Sequence, residues 1–226
     1  MPLLTFDNLK TAITEITAHT TTDLLGRESD FINMIEGRMN RELRVRDMET
    51  AAGVPLSFTG SYNAGTGTLP VNYLEWLDAT WSGGGRVSSL RYVESDSEEW
   101  RRKFRPFGDP ALFTTLGVSL YVKPGSVSLP GAVTLTYYAA IPPIATNPAG
   151  NFITMRYPDT YLHGALMEAY LYLEEYEIAE KYKALYDADV AAIRGDADTG
   201  KISRRPQRQP EVQNIAEARN QATGGA

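Results

Sequence analysis

No cysteine occurs in the 226 residues, which excludes disulfides, thiolate metal sites and cysteine nucleophiles and lets the chain assemble in a reducing cytoplasm. Histidine is scarce as well, with only His19 and His163. Neither lies at ligand spacing from a second histidine or a carboxylate cluster, so surface or packing roles are expected and no metal ligand is assigned. No run approaches the roughly 18 apolar residues that cross a bilayer. The opening Met1-Pro2-Leu3-Leu4-Thr5-Phe6-Asp7 carries no basic leader before a long apolar stretch, so neither an export signal nor a membrane segment is expected. Catalytic motifs are missing too. Gly65-Thr66-Gly67 lacks the third glycine and the Lys-Ser/Thr of a phosphate loop; Leu69-Pro70 follows, and the stretch reads as a loop leading into a strand. There is no Gly-x-Ser-x-Gly elbow and no His-Glu-x-x-His. Glu98-Glu99 and Glu174-Glu175 are adjacent on helices and point to different sides, so they do not face one another across a sugar bond as a glycosidase requires. No cofactor is expected, and the chain does not read as an enzyme.

What is present points to a globular protein with large contact surfaces. With 42% hydrophobic residues a chain of this length buries a real core without staples. A formal charge of −6 argues against a surface built wholly to hold nucleic acid. Thirteen tyrosines against two histidines lean toward interfaces over acid–base chemistry, because tyrosine supplies rigid amphipathic contact area.

Apolar residues Phe6, Leu9, Ile13 and Ile16 at spacings of three and four predict a helix over 6–18, capped by Thr5 or Asp7. A second helix is expected over 29–47, with Phe31, Ile35, Met39 and Leu43 on one stripe and Arg38, Arg41 and Arg44 making a basic face. From Glu49 to about Pro143 short alternating runs broken by Gly and Pro predict antiparallel strands at 54–59, 74–81, 86–93, 112–115, 118–122 and 131–139. Gly83-Gly84-Gly85 and Lys123-Pro124-Gly125 supply turns. One short helix interrupts them over 95–104, where Ser95 and Glu98 have capping-box spacing and the acidic start and basic end both suit the helix dipole. Pro158 opens a long helical region in which Gly164, Ala165 and Ala169 allow close packing, with a turn or kink at Glu174-Glu175 and a second stripe of Ile178, Tyr182, Leu185 and Ile193 to about Arg194.

From Gly195 the composition turns polar and Gly/Gln/Arg-rich, and such a segment cannot bury enough apolar surface to fold alone. It carries Lys201-Ile202-Ser203-Arg204-Arg205-Pro206-Gln207-Arg208, four cations with no acid between them. Arginines on an extended, proline-bearing track suit a protein partner, with duplex DNA as the alternative. The fold expected is α+β: N-terminal helices over 1–48, an inserted antiparallel β domain with one short helix over 49–145, C-terminal helices over 146–195, and an extended C-terminal arm over 196–226.

Four segments in order resemble the head-to-tail adaptor (connector) proteins of tailed phages, those of short-tailed phages above all. They are Phe31-Ile32-x-Met34-Ile35-Glu36-x-Arg38-Met39-Asn40-Arg41-Glu42-Leu43-Arg44-Val45-Arg46-Asp47-Met48-Glu49; Leu69-Pro70-Val71-Asn72-Tyr73-Leu74-Glu75; Leu135-Thr136-Tyr137-Tyr138-Ala139-Ala140-Ile141-Pro142; and Tyr157-Pro158-Asp159-Thr160-Tyr161-Leu162-His163-Gly164-Ala165-Leu166-Met167-Glu168-Ala169. The resemblance implies a virion protein of the neck, assembled in the host cytoplasm, that binds the portal protein as a twelve-membered ring of neighbouring adaptor subunits, extends the DNA channel and carries tail or nozzle proteins. Under it, Lys201, Ile202, Arg204, Arg205, Arg208, Val212 and Ile215 belong to a portal-docking arm. Arg38, Arg41, Arg44 and Arg46 become candidates for the channel wall, in passive contact with packaged DNA, or for charge pairs between subunits. Tyr161, Tyr170, Tyr172 and Tyr182 become candidates for subunit interfaces. The competing readings are a DNA-contacting neck or sealing protein and, behind it, a tail-associated cell-wall hydrolase.

Overall fold

A computed structural model of the protein describes residues 5–17, 26–58, 64–102, 109–123 and 131–202. Helix α1 (Phe6–Thr17) buries Leu9 and Ile13, and the Thr5 hydroxyl accepts the N–H of Asn8 at its start. Helix α2 (Glu28–Glu42) buries Phe31, Ile32, Ile35 and Met39 along one face. It stops short of the expected end at Asp47: Leu43 turns extended and is itself fully buried, and a 3-10 turn over Arg46–Met48 leads into the first strand. Near the other end of the chain lie α4 (Phe152–Arg156), α5 (Pro158–Tyr172) and α6 (Tyr176–Ile202), the second of these with proline at its first turn as the sequence predicts. These helices and α1–α2 share one apolar core that includes Leu9, Ile32, Ile35, Met39, Ala165, Tyr186 and Ile193.

The middle of the chain is β. Strands β1 (Glu49–Pro55), β9 (Gly131–Ala139), β4 (Tyr73–Gly83) and β5 (Arg86–Ser89) make one sheet in that order, and β2 (Ser57–Phe58), β3 (Gly65–Thr68), β8 (Ser119–Lys123), β7 (Leu112–Leu116) and β6 (Arg91–Tyr92) make the other. The chain crosses between sheets at both edges, from β1 through Leu56 into β2 and from β5 through Leu90 into β6, so the sandwich closes at its corners. Between the sheets lies a second core of Val54, Trp81, Phe113, Leu120, Val122, Val133 and Leu135. The alternation of β9 works as its sequence suggests, with Val133, Leu135 and Tyr137 inward. Tyr138, on the opposite face, joins the helical core and so stitches the layers together.

Several expectations need correction. Gly65-Thr66-Gly67 is not a loop but strand β3, paired with β2 and β8. Glycine is required there because a Cβ on Gly67 would stand 2.4 Å from Val54 Cγ1. Strand β1 begins at Glu49 rather than 54; its Thr-Ala-Ala-Gly stretch carries no apolar alternation and is held instead by backbone pairing to β9. The β region is not wholly antiparallel, since β6 and β7 run parallel. The interrupting helix shrinks to α3 (Glu98–Arg101), and Ser97, not Ser95, accepts the N–H of Trp100 as its cap. Helix α4 has no counterpart in the sequence reading. Helix α6 continues to Ile202, past the expected end at Arg194, so residues 196–202 are helical rather than extended. The turn at Gly83-Gly84-Gly85 forms as predicted, with Gly84 and Gly85 at positive φ, whereas Pro124-Gly125 lies outside the described residues.

Candidate functional site

The joint between the helices and the β sandwich is built from α2. Glu36 and Asn40, one helical turn apart, face the segment that leaves β9. Asn40 Oδ1 accepts the N–H of Ile141 at 2.8 Å, and Glu36 Oε1 accepts the N–H of Ile144 at 2.8 Å and the hydroxyl of Tyr161 at 3.2 Å. Asn151 closes the arrangement: its Nδ2 donates to Tyr161 Oη at 2.7 Å and to the Pro142 carbonyl, while its Oδ1 accepts from Ile153 and Thr154 and caps α4 in a capping box with Thr154. Burial raises the Glu36 carboxyl above its ordinary range, with the Ile144 and Tyr161 bonds working the other way. Burial, and after it the Glu36 charge, push the Tyr161 hydroxyl far up, so it stays a neutral donor. Asn151 and Thr154 carried a legible signal, an Asn three residues before Thr at a helix start, that the sequence reading passed over.

The basic face expected on α2 is not a single helix face, because Arg38 and Arg41 lie on α2 whereas Arg44 and Arg46 follow its end at Glu42. Arg38 Nη2 meets Glu168 of α5 at 2.7 Å, and Arg44 Nε meets Glu75 of β4 at 2.9 Å while its Nη1 donates to the Asn40 and Leu43 carbonyls. Arg38 therefore ties α2 to α5, and Arg44 ties the segment just after α2 to β4. Arg41 and Arg46 are exposed and make no ion pair with the described residues. Arg46 lines a cleft of about 380 Å³ with Val45, Asp47, Arg156, Tyr157, Ile193 and Asp196, beside the last turns of α6. There Arg156 pairs with Asp47 at 2.9 Å and Tyr157 donates to Asp196 at 2.8 Å. Helix α6 runs on past this cleft to Ile202. Of the residues named for the expected arm, Lys201 and Ile202 close α6, and Arg204, Arg205, Arg208, Val212 and Ile215 lie outside the described residues.

The tyrosines expected at subunit interfaces separate in the same way. Tyr161 is fully buried and Tyr170 nearly so, each bonded within the chain, Tyr170 to the Ile16 carbonyl; they are core residues because their rings fill the contact between helices. Tyr182 is half-buried and stacks on Tyr170 with ring centres 5.5 Å apart. Tyr172 alone of the four is exposed, at 42%, with one face against Phe31 and the Arg27 guanidinium.

His163 Nδ1 lies 2.8 Å from Asp189 on α6, a pairing across 26 residues that sequence spacing could not reveal; His19 falls outside the described residues. Among the described residues no group of histidines and carboxylates could hold a metal ion, and no helix is long and apolar enough to cross a membrane. Glu98 and Glu99 engage Arg102 and Arg91 respectively, so this carboxylate pair faces two different arginines rather than a shared cleft. A family model described as SU10 adaptor protein matches residues 4–210. No curated protein matches the chain.

Proposed function

Because this chain belongs to the SU10 adaptor protein family, a phage adaptor family, we propose that it is a structural head-to-tail adaptor, a ring subunit beneath the portal that extends the DNA channel and gives tail proteins their platform. The observation that carries the reading is that the family match takes in the helices and the sandwich together. The finer points are ours as well: a twelve-membered ring in the neck of a short-tailed phage, put together in the host cytoplasm without catalytic activity. Neighbouring copies meet through the outer faces of α5 and α6, away from the turn that joins them. The segment after Ile202 docks on the portal through Arg204, Arg205 and Arg208, which can form paired hydrogen bonds with acidic side chains.

A DNA-sealing role draws less support. Arg38 and Arg44 have their charge matched by Glu168 and Glu75, which leaves Arg41 and Arg46 as the free cations of these four among the described residues. Contact with packaged DNA is then passive, through those two.

Deletion of 203–226 tests the arm while sparing α6 and the Tyr157–Asp196 contact. The truncated chain should keep its melting temperature and lose binding to purified portal. Unchanged portal affinity would remove the arm from the proposal.

A further inference from the structure

The turn that joins α5 to α6 shows a combination that stability does not explain. Glu174 sits there at φ 61, in the left-handed region where an L-residue is strained and helices usually place glycine. The turn is well held: Glu175 N–H donates to the Tyr170 carbonyl at 2.9 Å, Glu174 N–H to the Leu171 carbonyl, and Leu166, Tyr170 and Ala179 pack beneath as a small core of their own. Around it four large apolar side chains face solvent, Leu171 at 41%, Tyr172 at 42%, Tyr176 at 62% and Ile178 at 38%. A shallow cleft of about 340 Å³ runs over residues 174–178.

Apart from Arg27, which lies over the Tyr172 ring, the charge of this patch is negative. From Leu171 to Glu180 the chain carries Glu174, Glu175, Glu177 and Glu180 and no Lys, Arg or His, and Lys181 follows. An exposed aromatic and aliphatic patch rimmed by carboxylates repels nucleic acid and suits a protein surface whose own apolar side chains are flanked by lysine or arginine. The arginine cluster of the chain's own tail cannot cover the patch, and the part of the tail long enough to reach it, from about residue 214 onward at the length of extended chain, carries Arg219 against Glu217 and is no basic segment. Helix α6 separates the turn from Ile202 by about 40 Å at 1.5 Å per residue, and the cations at 204–208 reach only about 20 Å beyond its end at the length of extended chain.

We propose that the α5–α6 turn is a docking surface for a second protein component presenting a basic, apolar-studded segment, and that Glu174 is kept at a glycine position for its charge. The site stands at the opposite end of α6 from the arm and does not depend on what the arm binds.

The test uses the full-length protein and a synthetic amphipathic helix with lysine and arginine on one face and leucine and phenylalanine on the other, followed by amide chemical shifts. Two reference peptides carry glutamate for the cations or serine for the apolar residues. The basic amphipathic peptide should move resonances of 171–180 selectively, with affinity falling as salt rises, and both reference peptides should leave them in place. Tyr176→Ser should weaken binding about tenfold, as loss of an aromatic anchor does. Glu174→Gly separates recognition from folding: relief of the left-handed strain should raise Tm by about 2 °C, while loss of one surface ion pair weakens binding about threefold. The proposal is overturned if shifts scatter over the molecule or are absent, if the serine peptide binds equally well, or if Glu174→Gly binds as tightly as the parent chain.

Discussion

In the helical layer the buried apolar side chains share their space with Glu36, Asn151, Thr154 and Thr160, whereas between the sheets the buried set is aliphatic and aromatic apart from Thr114. The contrast follows from how each layer fixes its geometry. Strands are aligned by backbone pairing, so register needs no side-chain polarity, and what matters is where two backbones come close. Helices satisfy their backbones internally and can slide past one another. Side-chain hydrogen bonds between distant parts of the chain, such as Glu36 to Ile144 and Asn151 to Tyr161, then set their relative position. Steric fit should therefore dominate mutational damage in the sandwich, and lost polar partners in the helices.

The largest effect is expected for Gly131→Ala in the sandwich. Its Cβ would stand 2.5 Å from the Ser82 carbonyl oxygen and 2.5 Å from Trp81 Nε1, and neither a paired strand nor a buried indole can yield. A loss of about 3 kcal/mol is expected, read by chemical denaturation. Hydrogen exchange should lose protection in β4 and β9 while α2 and α5 keep theirs; uniform loss would dissolve the distinction between layers.

Next comes Asn151→Ala in the helical layer, which removes the α4 cap, strips the Pro142 carbonyl of its donor and takes the Tyr161 hydroxyl's nearest partner. About 2 to 3 kcal/mol should be lost. A loss below about 0.5 kcal/mol, the level of a surface substitution, would show that this polar network does not position the helices.

Gly164→Ala probes fit within the helical layer itself. A Cβ at 164 would come within 2.3 Å of Ile35 Cγ1, so α5 must move off α2, at about 2 kcal/mol. Combining it with Ile35→Ala should cost less than the two single changes added together, because the new methyl occupies space the isoleucine vacates. Strict additivity would mean that the two positions do not share that space.

The smallest effect is the pH dependence of Glu36→Gln. The folded state raises this carboxyl's pKa, so the native protein holds the proton more tightly than the unfolded chain. Its contribution to stability is present in full below the ordinary value of 4.5 and declines as pH rises through the folded pKa. Glutamine keeps an oxygen to accept from Ile144 and Tyr161 but carries no charge to bury. The variant should therefore gain on the parent as pH rises above 4.5; a difference that is flat with pH, or that runs the other way, would contradict the assignment.

How much of this was legible follows the same division. The apolar stripes of α1 and α2, the proline start of α5, the alternation of β9 and the glycine turn after Gly83 were readable, because each is encoded within a few residues. The close packing allowed by Gly164 was readable as well, although not that Ile35 is what it accommodates. Strand β1 was shortened because Thr50-Ala51-Ala52-Gly53 has no pattern of its own and owes its extension to β9, more than 80 residues further along the chain. Arginines 38, 41 and 44 looked like one basic helix face because the helix was expected to run past Glu42 and because the partners of Arg38 and Arg44, Glu168 and Glu75, are remote in sequence. Tyr161 and Tyr170 looked like interface side chains for a related reason: an apolar stripe does not reveal whether it faces its own chain or another. Helix α6 outran its expected end because Gly195 and the polar residues after it favour termination only weakly, and each such residue costs at most about 1 kcal/mol.

An electron cryomicroscopy reconstruction of the particle that carries this protein tests the central claim most directly. The account predicts a collar immediately below the portal, into which the helical layer and the closed sandwich fit as repeating units around the DNA channel. A neck whose density is fully explained by other polypeptides, with this chain absent from it, would contradict the account.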